Sequence, residues 1–241
     1  QWGTIWLTDG STSNSFNHLT IKNATIGLLI QNNDGSTVSI KNTQIYNSTN
    51  YGILAQTAKI TGENLVINNA GQANLACTYG GNYKFTHSTF NNNWNSSQQV
   101  AVAISNYIIG AIPEGKDLTA ATFNNCIIYG SYSNEMTLNK KTGAAFEYQF
   151  NNCLIKFDNA NPKFATNPDY QFTTDAVHYN AIILNKDPEF YKVAQNKLNI
   201  DATSAAFAKG NPAYLIPLDV IGKIRTLPPD LGAYQSMEFP K

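Results

Sequence analysis

The stretch Leu19-Thr-Ile-Lys-Asn-Ala-Thr-Ile26 recurs down the chain with the chemistry of each position kept. Anchored on its asparagine, the pattern returns at Asn42, Asn64, His87, Asn106, Asn125 and Asn152, in steps of 19, 22, 23, 19, 19 and 27 residues. A period near 20 that reuses one short apolar and polar pattern marks a solenoid, a chain that coils and stacks on itself.

The columns of this alignment have a physical reading. Two residues before the anchor stand Ile21, Ile40, Gly62, Phe85, Ile104, Phe123 and Phe150; three after it stand Ile26, Ile45, Ile67, Phe90, Ile109, Ile128 and Ile155. These face inward, while alternate positions such as Ser39, Thr61 and Lys84 face water, and a period of two broken at a fixed place by Asn means short strands joined by a tight turn. Equivalent strands then stack in parallel about 4.8 Å apart. The expected structural ladder is Asn23, Asn42, Asn64, His87, Asn106, Asn125 and Asn152, amide over amide, each also tying down its turn. His87 fits there as a further donor, with a ligand or catalytic role as the alternative. Trp2 to Leu7 reads as a degenerate coil with Thr4 at the anchor, and Asn32 to Ser36 as a β-turn rather than a calcium loop.

One outward column, two after the anchor, turns aliphatic at Ile108, Ile127 and Leu154, so the C-terminal region is expected to cover it. In the next column Cys126 and Cys153 stack with poor disulfide geometry, and buried free thiols are expected.

Composition narrows the partners. Sixteen basic and sixteen acidic side chains cancel to zero, which leaves no basic field for nucleic acid or anionic lipid. No apolar run is long enough to span a membrane. The chain opens on Gln1-Trp-Gly with no leader and no polar first coil, so a mature or truncated fragment is expected.

Past Ile155 the pattern fades into an irregular excursion through Phe157 to Gln171, with a weak last coil at Tyr179 to Leu184. The tail then runs through Asp187-Pro-Glu-Phe190, Ser204-Ala-Ala-Phe-Ala208, Asp219, Gly222, Arg225 and Asp230-Leu-Gly-Ala-Tyr234. This order resembles the C-terminal end of bacterial right-handed parallel β-helix proteins, pectate-lyase-like in fold and often surface lipoproteins, although the Pro and Asp of that family's motif are Ala205 and Ala208 here. The resemblance implies an all-β, right-handed parallel β-helix of about seven or eight coils with an irregular C-terminal cap. The coils are expected over 1–157, with the last coils, excursion and cap of the same domain over 158–241. It also implies the extracellular or outer-membrane surface of a Gram-negative bacterium. Arg225 and Asp230 are expected to be structural cap residues, the arginine held by a fixed carboxylate.

Such scaffolds host lyases, hydrolases, adhesins and inert spacers, so function rests on the outward columns. No two acids occupy matching positions in neighbouring coils, and no catalytic, metal or cofactor residue is assigned. The expectation is a non-catalytic scaffold or binding module for glycans or other surface proteins, with Trp94 as the candidate glycan contact. The alternative is a polysaccharide lyase or glycoside hydrolase, with its site in the 158–180 excursion or on missing coils.

Overall fold

The computed structural model describes residues 2–108 and 114–239. The chain is a parallel β-solenoid of about six turns with almost no helix. Each complete coil has three limbs. The first ends at the anchor corner and stacks Ser15–Asn17, residues 38–41, 60–63 and 83–86, Leu118–Asn124, Gln149–Asn151 and Tyr179–Asn180. The second forms its own seven-stranded sheet of Thr20–Lys22, Gln44–Ser48, Val66–Ala70, Thr89–Asn92, Ile127–Gly130, Leu154–Ile155 and Ile183–Leu184. The third stacks Trp2–Leu7, residues 26–31, 51–56 and 73–78, Val100–Ser105 and Met136–Asn139. In three coils the third limb bends into the first as one continuous strand, as in Ala24–Lys41.

The corners explain the asparagines. His18, Asn42, Asn64, His87, Asn125, Asn152 and Ala181 all have φ between +47 and +59°, the left-handed region that asparagine enters at less cost than most side chains. Asn23 and Asn106, expected in the same ladder, belong to other corners. Asn23 stands over Asn47 and Asn69 at the second corner, because Thr20 and Ile21 pair with Gln44 and Ile45. Asn106 follows Ser105 in the third limb, whose corner holds Asn32, Thr57 and Tyr79. Thr4 likewise pairs with Ile26 in the third limb and is no anchor. One coil is therefore longer than the repeat step suggested, with 24, 22 and 23 residues from His18 to Asn42, Asn64 and His87, and about six turns replace the expected seven or eight. Of the inward column, Ile109 lies outside the described residues, and Ile26 is half-buried in the third limb while Ile21 takes the core position.

Inside, Phe85, Phe123, Phe150 and Tyr179 stack in one column with centroids 5.3, 4.9 and 5.6 Å apart. Gly62 interrupts that column for a reason: a Cβ there would stand 2.5 Å from Cδ1 of Phe85. The excursion is the end plug. A short helix, Pro162–Ala165, and the 3-10 turn Pro168–Tyr170 carry Phe164 and Tyr170 against Phe157 and Phe172. The Tyr170 hydroxyl is bonded by the main-chain N–H of Leu138 at 2.8 Å, which fixes the plug to the final third-limb strand.

The tail, by contrast, lies along the side of the second sheet. Val66 packs with Leu198, Val220, Ala233 and Tyr234, and Ile127 and Leu154 pack with Ile200, Ala206 and Leu231. The aliphatic column is thus covered as expected, apart from Ile108, which lies elsewhere. The glycine of Asp230-Leu-Gly-Ala-Tyr234 is required: Gly232 has φ +82°, and a Cβ would meet Thr89 Oγ1 and Ile127 within 2.7 Å. Cys77, Cys126 and Cys153 are buried and free. Among the described residues no helix is long and apolar enough to cross a membrane.

Phe123 touches two stacked rings and a perpendicular third, Phe90. Phe123→Ala is expected to cost about 3–5 kcal/mol by urea unfolding; a loss below about 1 kcal/mol would show that the column adds little to stability.

Candidate functional site

The outward face of the third limb is where side chains become small. Register places Trp6, Leu29, Leu54, Ala76, Ala103 and Thr137 in one outward column, so bulk falls from indole and leucine to alanine halfway along the stack. A groove of about 660 Å³ opens over the small members. Ala73 and Ala76 are buried at its floor. Tyr51, Gln72 and Gln98 line it, as do Tyr107, Ile108 and the polar column Gln56, Thr78, Ser105 and Asn139.

The lining is already ordered. Gln31 Nε2 donates to Gln56 Oε1 at 2.6 Å, and the Tyr51 hydroxyl donates to Gln72 Oε1. Burial raises the Tyr51 phenol above its ordinary value, so it stays a neutral donor. Among the described residues, those that line the groove carry no charged side chain. Amides, hydroxyls and two tyrosine rings around a small-residue floor can bind an uncharged polar chain. Sequence reasoning did not reach this site because the decrease in size along one column is visible only when the strands are in register.

The Trp94 indole does not line the groove. It is half-buried, with Nε1 3.5 Å from where a Gly71 Cβ would stand. Tyr107 lines the groove, while Tyr83 is fully buried. Lys41 and Glu63 pair at 2.9 Å on the first limb, whereas Lys22 belongs to the second sheet.

The ladder residues hold the chain to itself. Asn64 Nδ2 donates to Asn42 Oδ1 and to Leu218 O, both at 2.9 Å, and Asn42 Nδ2 donates to Asn17 Oδ1 at 2.9 Å. Asn125 donates to His87 Nε2 at 3.0 Å and exchanges two bonds with the main chain of Asn211 in the tail. His87 is buried, and burial with the nearby Arg225 charge drives it down to about 3, so it is neutral at physiological pH. Asn152 is at its corner, and Asn106 braces the loop near Lys141, whose N–H it accepts at 2.7 Å.

Arg225 does tie the tail to the coils, by a different route from the one expected. Its Nη2 donates to Asn64 Oδ1, Gly232 O and Ala233 O, each at 3.0 Å. No carboxylate lies within ion-pair distance of it among the described residues. Asp230 instead accepts from the main-chain N–H of Ala208 and Ser236, and Asp219 from those of Ile221, Lys223 and Gln235. Burial lowers Arg225 to about 10, partly offset by these two charges at longer range.

Two further groups escaped sequence reasoning. His178 Nδ1 lies 2.6 Å from Asp175 Oδ2, with the imidazole stacked on Tyr148 at 4.2 Å. It borders a shallow 240 Å³ pocket with Glu147, Thr122 and Gln149. The excursion thus brings Asp175 and His178 together, while Asp169 pairs with Lys140 at 2.6 Å. Glu135 is buried directly before the strand Met136–Asn139, and desolvation pushes its carboxyl up to about 8. No cluster of three or more His, Cys, Asp or Glu side chains suited to a metal ion occurs among the described residues.

No protein-family model and no curated protein matches the chain. The fold and the groove define a class, a parallel β-solenoid with a lateral groove lined by polar and aromatic side chains, and the reading of its function rests on that geometry.

Folding raises Glu135 from 4.5 to about 8, so between these values the folded chain binds one proton more than the unfolded chain. Stability from this group is full below pH 4.5, falls as pH rises to about 8, and is level above it. Glu135→Gln removes the titration and is expected to be more stable at pH 7 by about 3 kcal/mol. Urea midpoints from pH 5 to 9 check this; a variant with the wild-type slope contradicts it.

Proposed function

We infer that the protein is a non-catalytic binding module on an extracellular or outer-membrane surface, whose third-limb groove takes a neutral glycan chain. The observation that carries this reading is the lining: tyrosine rings, glutamine, asparagine and hydroxyl groups over buried alanines, uncharged throughout the described residues. Sugar hydroxyls both donate and accept, which suits amide side chains, and the C–H faces of a pyranose stack on tyrosine. Parallel strands about 4.8 Å apart repeat these contacts along the solenoid axis, so an extended polymer is favoured over a single sugar. The surface location is supported by the resemblance of Asp230-Leu-Gly-Ala-Tyr234 to the closing segment of bacterial right-handed, pectate-lyase-like β-helix proteins. Trp94 stands four residues before Gln98, which lines the groove, and is not itself a groove residue.

A second reading, glycan cleavage, is favoured by one observation. Asp175 holds His178 as an Asp–His pair beside Glu147 at the rim of the excursion, an orienter and a base next to a carboxylate. On this reading the excursion carries the chemistry of a lyase or hydrolase.

A neutral-glycan array separates these. Binding is expected for wild type, lost by at least tenfold in Ala103→Trp, which fills the groove, and retained within about threefold in Trp94→Ala. No hit, or equal binding by Ala103→Trp, sinks the groove reading. Release of new reducing or unsaturated ends from a polysaccharide panel, abolished by His178→Ala, establishes cleavage; no release leaves the binding module as the function.

A further inference from the structure

We propose that Glu135 and Gln99 form a proton-dependent clasp that holds the wall of the groove, which stays closed while the carboxyl is neutral and loosens when it ionises. The consequence for ligand binding rests on the groove reading above; the clasp itself does not.

The geometry is that of an acid, not a carboxylate. Glu135 Oε1 accepts from the N–H of Tyr132 at 2.9 Å and from Gln99 Nε2 at 3.3 Å. Glu135 Oε2 and Gln99 Oε1 are both buried and neither has a partner. An ionised Glu135 buries a charge with one oxygen unpartnered, whereas the neutral acid carries a proton and removes that charge. Space is tight around them: a Cβ on Gly130 would collide with the Glu135 carboxyl group. The charged side chain that acts on Glu135 is Lys156, whose Nζ is held by Gly130 O at 2.7 Å over the Tyr129 ring. Burial dominates and holds the carboxyl near 8, against the N–H of Tyr132, the Gln99 amide, the Lys156 field and the N–H of Ala101, which all favour ionisation.

One residue thereby ties two strands of the groove. The main-chain oxygen of Glu135 accepts from Ala101 and Val102, both at 3.0 Å. Gln99 also reaches Asn92 O and Ser131 Oγ, each at 3.4 Å, and its neighbours Gln98 and Val100 are groove residues. Thr137, two residues past Glu135, is a groove residue on the other strand. Moving the clasp moves the wall.

Amide hydrogen exchange of residues 98–105, corrected for intrinsic rates, tests this from pH 6 to 9.5. Wild type is expected to lose protection by at least about tenfold with a midpoint near 8, since one proton changes an occupancy about tenfold per pH unit. Glu135→Gln, which keeps the shape of the neutral acid, is expected to stay protected throughout, and Lys156→Met to move the midpoint upward. A flat wild-type profile, or the same transition in Glu135→Gln, overturns the clasp. The same proteins are then titrated with cellohexaose, maltohexaose and xylohexaose at pH 7 and 9. A loss of affinity in wild type but not in Glu135→Gln supports coupling to the groove, and pH-independent affinity beside a pH-dependent exchange profile overturns it. If none of the three sugars binds, the neutral-glycan reading fails while the exchange profile still decides the clasp.

Discussion

Everything in this molecule depends on one requirement: each coil must turn at the same three places, so that every main-chain N–H and C=O finds the coil above or below. Parallel strands can bond only when the corners keep register, and a corner this sharp needs residues with positive φ. Asparagine meets that need and adds an amide that bonds to the next rung, as Asn42 and Asn64 do. The inner columns follow from the corners. Once Asn64, His87 and Asn125 are superposed, Phe85 and Phe123 have no choice but to stack.

The same requirement decides what the tail and the excursion do. A solenoid exposes its last rung and, where an outward column is apolar, its flank. The excursion folds Phe157, Phe164, Tyr170 and Phe172 over the end, and the tail lays Leu198, Leu231 and Tyr234 along the flank. The ladder has a second use here. Asn64 and Asn125, freed from a purely coil-to-coil role, bond the main chain at Leu218 and Asn211, and Arg225 closes the arrangement from the tail side. With two of the three faces thus taken up by packing or by short charged and polar columns, the third limb is left as the face where shape varies.

That variation is the origin of the groove. A strictly regular repeat presents the same side chain at every rung and makes a flat wall. Substituting Ala76 and Ala103 where Leu29 and Leu54 stand makes a concave one, and the strands of Val100–Ser105 and Met136–Asn139 raise its far side. The joint between those strands and the coils is the buried Glu135. A carboxyl group at the junction makes the wall answer to pH, whereas an apolar residue would fix it permanently.

The sequence by itself determined the solenoid, the corner asparagines, the inward columns at Asn42, Asn64, His87, Asn125 and Asn152, the covered aliphatic column at Ile127 and Leu154 and the buried thiols, because each is written in local alternation or in a repeated residue type. It did not determine which corner an asparagine marks. Asn23, Asn42 and Asn106 are alike in sequence and sit at three different corners; Asn23 and Asn42 even share the left-handed backbone, and only strand pairing tells the three apart. For the same reason Trp94 was legible as an aromatic in a loop, but not that its ring lies over Gly71. The groove, the Asp175–His178 pair and the Glu135 clasp were decided by tertiary structure alone. Each joins residues from separate limbs or loops, and their chemistry depends on distance and burial that no local pattern encodes.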